Sequence, residues 1–264
     1  MKKEYYTLIT GASEGLGKAI AIECAKRKMN LVLIALPGIE LYALADLLIR
    51  NFEIKVLVIE KDLAKEDSCK EIFDLIKEKD LSINILINNA GIGNTQFFEQ
   101  TYLSIFEKQI RLNILATTSL THLLIDELKK NSPAYILNVG SLASFFTLPR
   151  KQVYGATKSF IYFFSKSLRM ELLDKNISVT VICPGGINSN PNQTLLNRTG
   201  TWIGKMSLME PETIAPLAID GLLRRKAVII PGRLNRCFIF LDKLMPGPIK
   251  RTIVRKQMGS LQTK

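Results

Sequence analysis

The chain has 264 residues, with 36 Lys and Arg against 24 Asp and Glu, a formal net charge of +12. That length suits one α/β domain and buries a sizeable core without disulfide or metal staples. Hydrophobic residues at 47% and charged residues at 23%, with 16 Gly and 10 Pro, exclude collagen, coiled coil and bulk disorder.

The first ten residues contain no apolar signal region and run straight into a strand pattern, so no secretory signal is expected. The runs Ile22–Ala25 and Ile161–Phe164 are far too short to span a bilayer. Strands are expected at Tyr5–Thr10, Asn30–Ala35, Lys55–Glu60, Ile83–Asn88, Ala134–Val139 and Ser178–Ile182. They are rich in Val, Ile and Leu with little alternation, as strands buried on both faces are. Between them lie helical stretches at Gly15–Lys28, Gly38–Asn51, Lys65–Lys79, Ser104–Lys130 and Val153–Asn176. This alternation predicts a doubly wound, three-layer parallel α/β sheet, with its ligand at the carboxyl ends of the strands. Residues 186–210 break the rhythm and read as a long loop with room for a short helix. A helix over Ile214–Lys226 and a last strand over Ala227–Gly232 follow. A division at 236/237 separates a main domain from an extension, residues 237–264.

The charge is concentrated at that end. Residues 1–220 carry 25 basic and 23 acidic side chains, whereas residues 221–264 carry 11 basic ones and only Asp242. Cys24, Cys69, Cys183 and Cys237 are scattered, with no Cys-x-x-Cys spacing and one histidine in the chain. A metal site is therefore not expected. Free buried thiols in a reducing cytoplasm are.

The first strand ends in Thr10-Gly11-Ala12-Ser13-Glu14-Gly15-Leu16-Gly17 and leads into a helix. Gly11 permits a tight turn, Gly15 lets backbone approach a phosphate, and Gly17 allows close helix–strand packing. The helix N-terminus then faces the anion. The second strand ends Ile34-Ala35-Leu36-Pro37-Gly38 and supplies neither the acid that binds a ribose hydroxyl nor the arginine that binds a 2′-phosphate. Without an acid to repel it, NADP is favoured slightly over NAD. After the third strand, Asp62 could accept a bond from an adenine amino group or cap the next helix.

Tyr154 and Lys158 stand at i, i+4 on one predicted helix, so they share a face. An ordinary tyrosine, with a pKa of about 10, is a poor base at neutral pH, and a nearby cation lowers that value. Tyr162 and Lys166 repeat the spacing. The residue 13 positions before Tyr154 is Ser141, at the end of a strand; the one before Tyr162 is Pro149. Tyr162 and Lys166 are therefore read as surface or subunit contact. His122 is read as helix packing or surface.

Taken together, the glycine turn, Asp62-Leu63, Asn88-Asn89-Ala90-Gly91, Asn113, Ser141, Tyr154-x-x-x-Lys158 and Pro184-Gly185 resemble the short-chain dehydrogenase/reductase family in order and spacing across residues 5–190. The resemblance implies a Rossmann fold and NAD(P)-dependent interconversion of a secondary alcohol and a ketone. It makes Tyr154 the acid/base and Ser141 the group that polarises the carbonyl. Lys158 would hold the nicotinamide ribose and depress the tyrosine pKa, and Asn113 would anchor a relay water. Cofactor contacts would come from Gly11, Ser13, Gly15, Leu16, Gly17, Asp62, Leu63, Asn89, Ala90, Gly91, Tyr154, Lys158, Pro184, Gly185, Ile187 and Ser189. In the family, the 186–210 segment covers the substrate. Trp202, Ile203, Met206, Leu208 and Met209 suggest a greasy lid and an apolar or long-chain carbonyl substrate; packing of a short helix is the alternative.

The C-terminal part resembles members that reduce 3-oxoacyl and related lipid carbonyls. Apolar residues mix with Lys and Arg from Cys237 to Lys256. They suit a helix on an anionic membrane, a helix packed on the body, or a subunit contact. A homo-oligomer is expected. Nucleic acid is not, since no binding module is present. Rival readings are a nucleotide-binding sensor or scaffold without turnover, and a membrane-associated component anchored by the tail.

Overall fold

The computed structural model describes residues 3–188, 207–250 and 252. Its strands are β1 (Tyr5–Thr10), β2 (Asn30–Ala35), β3 (Val56–Glu60), β4 (Ser82–Asn88), β5 (Ala134–Val139), β6 (Ile177–Ile182) and β7 (Val228–Ile229). They form one parallel sheet in the order β3-β2-β1-β4-β5-β6-β7. The first six lie within one residue of their expected bounds. β7 is shorter than expected. Only Val228 and Ile229 pair with β6, and Pro231 beyond them has no amide to extend the ladder.

Successive strand residues face opposite ways, and each face has its own helices. Ile9, Leu31 and Leu33 pack under α1 (Gly15–Lys26), α2 (Ile39–Phe52) and α7 (Pro211–Leu223). Leu8, Val32 and Ile34 pack under α3 (Ser68–Glu78) and α5 (Thr117–Lys130) on the other face. α6 (Gln152–Glu171) covers β6 on that side through Ile161. These are three layers. The chain leaves β1 toward β2 and β3, then returns to place β4 on the other flank of β1. That reversal opens a crevice at the carboxyl ends of β1 and β4.

Two expectations are corrected here. The stretch Ser104–Lys130 is not one uniform helix. α4 (Leu103–Ile110) passes through a π turn at Arg111–Ala116 before α5 begins. A π turn takes one extra residue without interrupting the chain of backbone bonds, so apolar periodicity does not reveal it. The division at 236/237 falls inside α8 (Arg233–Leu244), whose Asn235 and Ile239 are buried against the body. No helix among the described residues is long and apolar enough to cross a membrane. Cys24, Cys69 and Cys183 are buried free thiols, whereas Cys237 is exposed on α8.

Candidate active site

The glycine turn is held closed by backbone contact. Gly11 and Gly15 have φ of +64° and +53°, a region that costs other residues energy. A Cβ on Gly17 would stand 2.0 Å from the Gly11 carbonyl oxygen, so no side chain fits there. Thr10 and Asn89 lock this turn to the loop after β4. The Asn89 side-chain amide donates to the carbonyls of Thr10 and Gly11 at 2.9 and 3.0 Å. The amides of Asn89 and Ala90 both donate to the Thr10 hydroxyl at 3.0 Å. The first turn of α1 therefore presents its backbone N–H groups at the crevice, a cradle that fits a dinucleotide pyrophosphate. Leu16 and Leu63 point into the two cores, which leaves only their backbone to face a cofactor. Ser13 stands half-exposed beside the turn.

Asp62 is a turn residue. Its Oδ1 accepts from the Ala64 amide at 3.0 Å, while the residue that precedes α3 is Asp67. The end of β2 has the acid that its own sequence lacks. Glu60, the last residue of β3, is paired with Ala35 and accepts the Gly38 amide at 3.0 Å. Desolvation, and after it the Glu60 carboxylate, raises the pKa of the nearby Tyr42 phenol, and Glu40 lies over Gly38, its carboxylate 2.8 Å from where a Cβ would stand. Sequence reading along β2 alone misses this carboxylate, because it arrives from the neighbouring strand.

The structure gathers Ser141, Tyr154, Lys158 and Asn113 at the ends of β4 and β5. Ser141 follows β5 in extended conformation, and its hydroxyl accepts from the Ala143 amide at 3.1 Å. It also lies within hydrogen-bonding reach of the Tyr154 phenol. The tyrosine ring rests on Gly93, where a Cβ would stand 3.4 Å away. Lys158 is buried on α6. Its ammonium donates to the Val139 carbonyl at 2.8 Å and lies 5.9 Å from the Tyr154 ring centre. Asn113 sits in the π turn. Its amide group donates to the Ile92 carbonyl at 2.9 Å and the Thr157 hydroxyl at 3.0 Å, and its oxygen accepts from the Ile92 amide at 2.9 Å. Asn113 thus clamps the loop after β4 to α6. Thr157, which the motif leaves unspecified, is the other half of that clamp.

Burial governs the charges here. It raises the Tyr154 phenol above its ordinary value, against the lowering effect of Ser141. It holds Lys158 down to about 8. The expected depression of the tyrosine is therefore not seen among the protein's own groups; desolvation outweighs the hydrogen bond from Ser141. Cys183, within the same cluster, is pushed up to about 12 by burial and stays a thiol.

Pro184 and Gly185 follow β6. A Cβ on Gly185 would stand 2.3 Å from the Ser207 carbonyl oxygen. Ile187 bridges Met209, and the Met209 amide donates to Gly186 at 3.0 Å. The two ends of the proposed lid are therefore pinned together. Ser189, Trp202, Ile203 and Met206 lie outside the described residues. Tyr162 packs edge-on against Phe145, with Lys166 over its ring at 5.3 Å, and His122 is exposed; none of the three joins the Ser141, Tyr154 and Lys158 group.

A glycine-cradled crevice beside a serine, a tyrosine and a buried lysine defines a dinucleotide-binding α/β protein. Residues 6–199 match the short chain dehydrogenase family model, and the chain belongs to that family. It is 33% identical over 198 residues to 17-beta-hydroxysteroid dehydrogenase type 3 of Mus musculus, a match covering 73% of this chain and 63% of that protein. It is 33% identical over 185 residues to very-long-chain 3-oxoacyl-CoA reductase of Macaca fascicularis, covering 68% of this chain and 58% of that one. The chain thus spans less than two thirds of these two relatives. A short-chain dehydrogenase from Sphingobium yanoikuyae in complex with NADPH superposes with a TM-score of 0.79 at 30% identity, covering 91% of this chain and 93% of that one.

Proposed function

We propose that this protein is an NAD(P)-dependent oxidoreductase that interconverts a secondary alcohol and a ketone on an apolar or long-chain carbonyl compound. The observation that carries this reading is the convergence of Ser141, Tyr154 and Lys158 beside the glycine cradle. The bound nicotinamide would supply or accept the hydride. Ser141 would donate to the carbonyl oxygen and polarise it. Tyr154, kept neutral by burial, would hand its phenolic proton to that oxygen as negative charge develops there, and take it back in the oxidative direction. Lys158 would favour the phenolate left behind, its ammonium fixed by Val139. Gly11, Gly15 and Gly17 would bring backbone to the pyrophosphate, with Asn89, Ala90 and Gly91 alongside. Pro184, Gly185, Ile187 and Ser189 would line the nicotinamide end. The steroid and 3-oxoacyl names of the two relatives support an apolar substrate, and the NADPH in the Sphingobium structure supports the dinucleotide.

The test is Tyr154→Phe on a ketone panel with NADH and with NADPH. Turnover should fall by ~10³-fold or more while dinucleotide binding persists. Full turnover in the variant overturns the reading and favours a sensor or scaffold.

The extension favours a second role. On α8, Leu234, Phe240, Leu241 and Leu244 are exposed beside Arg233 and Arg236. That mixture supports peripheral contact with an anionic membrane. Binding to anionic but not neutral vesicles, lost in Leu241→Glu, is the expected result. Equal sedimentation with both vesicle types counts against it. Exposed Phe160 and Phe163 on α6 support a homo-oligomeric contact.

A further inference from the structure

Tyr154 stands near two lysines, and only one of them is partnered. Lys158 is tied to Val139. Lys151 places its ammonium 6.0 Å from the Tyr154 ring centre, and among the described residues that ammonium has no hydrogen bond and no ion pair, although the Lys151 backbone is bonded to Leu148 and Gly155. Burial lowers its pKa. Lys151 is also the residue that opens α6, where the helix dipole is positive and disfavours a cation.

Among the described residues, its neighbour Arg150 likewise has no acidic partner. Arg150 holds φ at +67°, in the left-handed region, where a non-glycine residue is strained. Its Nε is buried without a hydrogen-bond partner, and its guanidinium lies 5.1 Å from the Phe97 ring centre. The Gln96 amide donates to the Arg150 carbonyl at 3.0 Å, which joins the loop after β4 to the segment before α6. Those two segments flank Tyr154, which touches Gly93 on one and follows Lys151 on the other.

Partly buried cations without acids are costly, and backbone strain persists where a binding site requires it. An anionic oxygen group would offset both costs, accepting from the Arg150 fork and the Lys151 ammonium together. We propose that Arg150 and Lys151 form an oxyanion-binding subsite on the substrate side of Tyr154. The substrate is then a carbonyl compound that also carries a carboxylate or phosphate. This inference rests on the reading of Tyr154 as the acid/base.

The test compares three probes of one chain length on the full protein with NADH and NADPH: 3-oxododecanoate, its methyl ester, and 2-oxododecyl phosphate, both anions standing within a few bonds of the ketone. At least one charged probe should exceed the ester about tenfold in kcat/KM, with added salt narrowing the gap. Lys151→Gln and Arg150→Gln should each shrink that ratio about fivefold or more, mainly through KM. Preference for the free acid assigns a carboxylate; preference for the phosphate ester assigns a phosphate. An ester turned over as well as both charged probes overturns the proposal, as does an unchanged ratio in both variants. Calorimetry supplies a readout independent of turnover. Dodecanoate or dodecyl phosphate should bind wild type more tightly than dodecanol does, and Lys151→Gln should lose the difference. Equal affinities overturn the subsite. Absence of turnover on every carbonyl with this binding intact overturns the catalytic reading instead.

Discussion

The side-chain amide of Asn113 donates to the hydroxyl of Thr157 at 3.0 Å, joining the π turn to the helix that carries Tyr154 and Lys158. Thr157 in turn donates to the Tyr154 carbonyl at 2.8 Å. Thr157→Val keeps the shape and removes both bonds. It leaves a buried amide proton of Asn113 unpaired, which costs about 1–3 kcal/mol. The expected result is a lower Tm and a kcat reduced roughly tenfold with little change in KM. Thr157→Ser should restore both. A valine variant with wild-type kcat removes Thr157 from the positioning of the site.

On the proposed mechanism, Lys158 would give the activity a basic limit. Its folded pKa of about 8 lies below the ~10.4 of an unfolded lysine, so between these values the unfolded chain binds the extra proton. Stability from this group therefore rises as pH climbs from about 8 to 10.4. The buried thiols Cys24, Cys69 and Cys183, with pKa values pushed up to about 12, 11 and 12, oppose it over the same range. The lysine contribution is isolated by subtracting the pH–stability curve of Lys158→Met from that of wild type. The difference should slope upward above pH ~8. If turnover needs the ammonium, as proposed, kcat/KM should fall with an apparent pKa near 8. A flat basic limb to pH ~10 contradicts the role of Lys158.

Gly17 has no room to vary. With a Cβ placed 2.0 Å from a backbone oxygen, Gly17→Ala must push α1 away from β1. The expected loss is upward of ~3 kcal/mol, because backbone cannot rotate aside as a side chain can. Denaturant unfolding measures it. Dinucleotide affinity should fall in any folded fraction.

Glu60 is expected to weigh on the balance between the two nicotinamide dinucleotides. Its carboxylate bonds the Gly38 amide at 3.0 Å at the end of β2, where a ribose 2′ substituent is read. Glu60→Gln removes a negative charge beside that position. The ratio of NADPH to NADH affinity should shift toward NADPH by roughly five- to tenfold, the size of one screened charge pair. An unchanged affinity ratio places the carboxylate outside the cofactor site.

The strands and their order were legible because strands buried on both faces read as unbroken Val, Ile and Leu, and the crossovers between them are long. The cluster of Ser141, Tyr154 and Lys158 was legible because each sits at the end of such a strand or at helical spacing. What escaped was set by geometry across elements. The Glu60 carboxylate reaches the end of β2 from β3. The π turn at Asn113 leaves no trace in a periodic pattern. Arg150 and Lys151 look in sequence like two solvated cations; only burial without partners marks them out.

The bridge between Ile187 and Met209, with Asn188 bonded to Glu210 at 2.6 Å, fastens together the two feet of the segment that runs between them. What lies between those feet can lengthen, shorten or change composition at a closure cost that grows only logarithmically, without moving Tyr154. On the proposal that this segment covers the substrate, a new substrate range would follow from exchanging it as a cassette, while the sheet and the Ser141, Tyr154 and Lys158 cluster stay in place.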